Sequence, residues 1–147
     1  MANRKVPVAA GSAALKACQD ALSQSLAQLP PETRQALPAD EVATALREGG
    51  RQVPRMQLFT AVRYTLEELA ASYPGRAVEV RVPPAGAVQI LEGTVHRRGT
   101  PPAVVEMDPA IWLALTVGLV SWDLMLSEGV VSASGNRCDL GPILPLF

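Results

Sequence analysis

Hydrophobic positions recur at two different periods along this chain, and the change of period divides it. Leu15, Cys18, Leu22, Leu26 and Leu29 follow at three- and four-residue steps, predicting an amphipathic helix over residues 12–28 capped by Ser12. After LPPETRQALP, Val42 and Leu46 share one face of a second helix over 39–48, which Gly49 and Gly50 are expected to end. A third helix is expected from Pro54, with Leu58, Val62, Leu66, Leu69 and Tyr73 as its apolar stripe. On that helix Arg63 stands four residues before Glu67, a favourable spacing for an ion pair.

In RAVEVRV the period falls to two. Val78, Val80 and Val82 alternate with Ala77, Glu79 and Arg81, the pattern of a strand with one buried face. AVQILEGTVHRR continues extended past a bulge expected at Gly93, and AVVEMD reads as a third short strand. Asp108-Pro109 then joins an N-cap acceptor to a proline suited to the first helical position. Between Ile111 and Val117 only Thr116 is polar, so the helix over 109–117 is apolar all round, unlike a surface helix. One face is expected to lie on the sheet; the other faces a cavity or the N-terminal helices. SWDLMLSEG follows as a short helix capped by Ser121 and closed by Gly129, then a strand in VVSASG and an apolar tail ending in PILPLF. Helices, an antiparallel meander, two short helices and a returning strand make an α+β domain.

Composition narrows the function classes. With 48% hydrophobic and 18% charged residues in 147, the chain is expected to fold as one domain, residues 1–147. A net charge of −1 argues against a dedicated nucleic-acid binder, which needs a strong positive field. Two distant cysteines, Cys18 and Cys138, form no disulfide framework, and a single histidine, His96, leaves a metal site without ligands. No metal and no cofactor are therefore expected. The apolar N-terminal stretch is interrupted by Pro7, Gly11, Ser12 and Lys16, unlike a signal sequence, and residues 111–122 are too few to cross a bilayer. The expectation is a cytoplasmic protein without stable membrane insertion.

The second half carries a resemblance. VEVRVPP (78–84), AVQ (87–89), the HRRGTPP stretch with VVE and DP across 96–109, SASG (132–135) and LPL (144–146) resemble bacterial members of the sterol carrier protein-2 family. In particular they look like the free-standing actinobacterial type and the domain found C-terminal in mycothiol-dependent maleylpyruvate isomerases. The likeness spans residues 54–147, with residues 1–53 as an N-terminal helical extension. The resemblance implies a curved antiparallel sheet covered on one side by helices, with an apolar tunnel between the layers for a lipid-like ligand. It does not carry over the isomerase chemistry, because residues 1–75 contain no histidine to bind a metal.

Catalytic motifs are weak throughout. His96 sits beside Arg97 and Arg98 in what reads as a solvated basic turn, and Ser132 and Ser134 have no nucleophile motif around them. Glu106 and Asp108 could be an acid–base pair, but the preferred reading gives Asp108 to a helix cap and Glu106 to an arginine such as Arg81 or Arg98. The expected function is thus non-enzymatic carriage of a hydrophobic or amphipathic small molecule. Its walls are assigned to Val78, Val80, Val82, Val88, Ile90, Val105, Ile111, Trp112, Leu115 and Leu124, with Arg97, Arg98 and Arg137 as a polar rim. The alternatives are an interaction or regulatory module with a filled core, forming a homodimer or meeting a partner protein, and an accessory subunit of a metal-dependent thiol-cofactor isomerase or transferase.

Overall fold

Nine elements follow one another in a computed structural model that describes residues 5–30, 38–93, 103–135 and 138–147. Three helices come first: α1 (Val8–Ala27), α2 (Ala39–Arg51) and α3 (Arg55–Ser72). Strands β1 (Val78–Val82), β2 (Gly86–Ile90) and β3 (Ala103–Glu106) lead into α4 (Pro109–Thr116) and α5 (Trp122–Ser127), and β4 (Ser132–Ser134) closes the sheet. The fold is α+β.

The strand order is β2-β1-β3-β4. Pairing is antiparallel between β1 and β2 and between β3 and β4, but parallel between β1 and β3. This corrects the expected antiparallel sheet: it is mixed. Strand β3 lies on the far side of β1 from β2 and runs in the same direction as β1. Registers place Val80 level with Val88 on one side and Val105 on the other, and Val78 level with Ile90 and Ala103. These side chains share one face and face the helices. Arg81, Gln89 and Glu106, at intervening positions, are exposed on the other.

Helix α1 packs between α2 and α3, α3 also lies on β2, and α4 is packed against α1, α2 and α3. Every residue of α4 from Ala110 to Thr116 is buried. The second apolar face of this helix is therefore covered by the N-terminal helices. Trp112 is wholly enclosed there, and its Nε1 donates to Thr65 Oγ1 on α3 at 2.8 Å.

Several local expectations are revised. Helix α1 starts at Val8, with Pro7 at the cap; Ser12 lies inside the helix and its hydroxyl donates to the Val8 carbonyl at 2.6 Å. Helix α2 runs through Gly49 and Gly50 to Arg51. A Cβ on Gly49 would come within 2.8 Å of Ser25 Oγ, so the glycine serves the close approach of α1 and not a helix stop. Pro54 caps α3 from outside its first turn. Arg63 donates from Nε to the Ala85 carbonyl at 3.3 Å, while the Glu67 carboxylate accepts from the backbone N–H of Val6 at 2.9 Å. Asp108 makes no side-chain cap; its Oδ2 accepts from Arg47 Nε at 2.6 Å, tying α2 to the start of α4. Arg81 pairs with Glu79 on its own strand, with Glu106 level with it on β3. The bulge expected at Gly93 gives way to an earlier end of the strand, at Ile90, followed by Leu91 with φ +64.

Candidate functional site

Glycine ends the apolar helix. Gly118 adopts φ +76, a conformation that L side chains resist, and the chain turns out of α4. Leu119 N–H donates back to the Ala114 carbonyl, and the Ser121 hydroxyl accepts from Leu124 N–H at 3.2 Å to cap α5 as the sequence predicts. Trp122, the first residue of α5, is thereby folded inward and is only 4% exposed.

The C-terminal tail returns to the same place. Leu140 is fully buried, and the N–H groups of Leu146 and Phe147 both donate to the carbonyl of Thr116 at the end of α4. Tyr64 of α3 stacks on Phe147 with ring centroids 6.0 Å apart. The tail therefore packs on the end of α4 and on α3. The Thr116 carbonyl, left without a helical partner at the end of α4, holds the tail backbone there and not on the sheet.

Between this tail and the α4–α5 connection lies a cavity of about 610 Å³. Leu115, Leu119, Val120, Trp122, Leu144 and Pro145 give it apolar walls, and Ser121, Asp123 and Asp139 supply polar groups. A second cavity, of about 390 Å³, opens on the other side of the same connection. It shares Leu119, Val120 and Ser121 with the first and is completed by Leu26 within α1 and Leu29 after it, Val42 of α2, and Leu124. The connection is thus a partition with a cavity on each side. Both volumes fall in the range of about 300–1,000 Å³ usual for small-molecule sites.

The ten residues assigned to ligand walls divide between two places. Val78, Val80, Val82, Ile90, Val105, Ile111 and Trp112 are fully buried in the hydrophobic core, with Val88 half-buried against it, and they line neither cavity. Leu115 lines the larger cavity and Leu124 the smaller. His96, Arg97, Arg98 and Arg137 lie outside the described residues. Leu119, Val120, Trp122, Leu144 and Pro145 also line the larger cavity and were not among the residues assigned from sequence. The available signal was the glycine and serine punctuation around GLVSW, which bends two apolar segments around a common space.

Catalytic geometry is sparse. Ser132 and Ser134 are exposed on β4, and Glu106 is exposed on β3. Burial pushes the Cys18 thiol up to about 11, away from the range of a reactive thiolate. Cys138 is also raised by burial, against hydrogen bonds from neighbouring backbone that act in the opposite direction. Among the described residues no group of three or more His, Cys, Asp or Glu could hold a metal ion, and no helix is long and apolar enough to cross a membrane.

A family profile described as a bacterial SCP ortholog matches residues 54–146, more than half of the chain. The chain belongs to the bacterial sterol carrier protein-2-like family. The matched span runs from α3 through the sheet, α4 and α5 to the tail, and so contains every wall of the larger cavity. The smaller cavity takes part of its lining from α1 and α2, outside that span. Family membership connects the chain with lipid carriage in general. No curated protein matches the sequence.

Proposed function

We propose that this sterol carrier-like protein binds and carries a small hydrophobic or amphipathic molecule, without chemical conversion, in the cavity between the α4–α5 connection and the C-terminal tail. The observation that carries this reading is a space of about 610 Å³, walled by Leu115, Leu119 and Leu144 and edged by Ser121, Asp123 and Asp139, built entirely by the family-matched part of the chain. Its mixed apolar and polar lining suits an amphipathic ligand. Ser121, the hydroxyl at its edge, is already engaged as a helix cap. A cytoplasmic setting, in which the ligand passes between sites in a water-shielded pocket, is part of the proposal.

One observation favours a second reading. The space between sheet and helices is occupied by the core side chains themselves, as in an interaction module that meets a partner protein or a second copy through its surface. Native mass spectrometry of gently purified protein, followed by denaturation and solvent extraction, separates the two. The carrier reading expects a discrete apolar adduct that leaves on denaturation. A bare protein mass, with no uptake when fatty acids, fatty alcohols and acyl thioesters are offered, would favour the interaction module instead.

A further inference from the structure

An apolar groove crosses the N-terminal extension. It holds the smaller cavity, where Leu26, Leu29, Leu119, Val120 and Leu124 are each half-buried. Leu29 is also a wall of a neighbouring depression of about 360 Å³, which continues along the first turns of α2 beside Asp40, Glu41 and Thr44. The groove therefore runs from α5 past the end of α1 onto α2. Helices α1 and α2 lie outside the family-matched residues, so this surface is an addition to the family core. Contiguous aliphatic side chains left partly exposed in a concave strip, with polar residues at the rim, are the mark of an interaction surface.

The rim is acidic. Asp40 and Glu41 stand exposed in the first turn of α2, and among the described residues neither is paired with a basic side chain. Among those residues no basic side chain lines either depression. An anionic lipid surface would meet like charges here. The walls are helices, whose backbone groups bond within themselves, so an extended peptide finds no strand edge to pair with. A helix satisfies its own backbone and needs only an apolar stripe to dock. We propose that this groove docks an amphipathic helix of a partner protein, its apolar face on Leu26, Leu29 and Leu124 and its Lys or Arg side chains against Asp40 and Glu41.

Fluorescence anisotropy with the full chain tests it. One labelled peptide of about 14 residues, roughly four helical turns, repeats leucine at i, i+3, i+4 and i+7 with lysines between; its twin has glutamate at every lysine. At low salt the lysine peptide is expected to bind at least about tenfold more tightly than its twin, the gap narrowing as salt rises. Leu26→Gln with Leu29→Gln, checked for folding by circular dichroism, should weaken the lysine peptide by at least about tenfold. Asp40→Lys with Glu41→Lys should reverse the preference between the twins. Equal binding of the twins, no reversal in the charge variant, or no loss in the leucine variant overturns the proposal, as does absence of binding by the lysine peptide. Binding of the protein to phosphatidylglycerol vesicles that the leucine variant loses gives the groove to a membrane instead. A dimer in sedimentation equilibrium that the same variant loses gives it to a second copy. Lipid uptake by a protein that binds neither peptide overturns the docking site and leaves the carrier reading intact.

Discussion

Thr65 shows how one side chain settles the interior. Its hydroxyl donates to the carbonyls of Ala61 and Val62 and accepts from Trp112 Nε1, so the bulkiest buried side chain has its polar atom satisfied. Thr65→Val keeps the shape and strands that N–H. The variant should lose about 1–3 kcal/mol of stability in urea denaturation. Cys18 couples the core to pH. Its thiol ordinarily loses its proton near 9.0 and in the folded protein near about 11, so the proton is held more tightly in the fold than in the unfolded chain. The associated stability is present below pH 9 and lost as pH rises toward 11, with Cys138 acting in the same direction. Urea midpoints should therefore fall between those limits, and Cys18→Ala should flatten the decline. The burial of Cys18 was legible in the sequence from its place in the stripe between Leu15 and Leu22. The Thr65–Trp112 bond was not, because it joins residues 47 apart whose meeting depends on how α3 and α4 pack.

At the scale of elements, periodicity gave the strongest signal. The step of three or four found the core faces of α1 and α3, and the step of two found β1 with Val78, Val80 and Val82 all inward. Each of those valines contributes roughly 1.5–3 kcal/mol by burial, enough to fix the register of the strand. Glycine punctuation was harder to interpret, because one residue type serves two purposes. Gly118 and Gly129 end helices with positive φ, as expected, whereas Gly49 lets two helices touch. Gly75 combines both demands: its φ is +149, and a Cβ would fall 1.9 Å from the Leu91 carbonyl oxygen. Gly75→Ala should destabilise the α3–β1 junction by more than about 2 kcal/mol, measured by thermal or urea unfolding. The Arg47–Asp108 pair makes a contrast. Both side chains are about half exposed, so Arg47→Ala should change stability by no more than about 1 kcal/mol. Strand order lay beyond the sequence pattern. Alternation says which face is buried but not which neighbour a strand takes, so the parallel β1–β3 pairing could not be read from it.

For the whole molecule, the family was legible in the second half, and the cavities were only partly so. A strand of alternating valines facing an apolar helix suggests a ligand chamber and a filled core equally well, because both need the same residues. The structure encloses seven of the ten assigned wall residues completely in the core and puts only Leu115 and Leu124 at the cavities beyond it. Val120 lines both cavities and is only half-buried, so it can be enlarged without disturbing the core. Val120→Trp should keep the fold and reduce uptake of an apolar ligand by at least about tenfold, read by equilibrium dialysis with a radiolabelled fatty acid or fatty alcohol. The most direct measurement is photoaffinity mapping with a diazirine-bearing fatty alcohol, with labelled peptides identified by mass spectrometry. The account predicts saturable labelling within residues 115–124 and 139–145, displaced by excess dodecanol. Labelling confined to residues 78–90 and 103–112, or no saturable labelling at all, would contradict it.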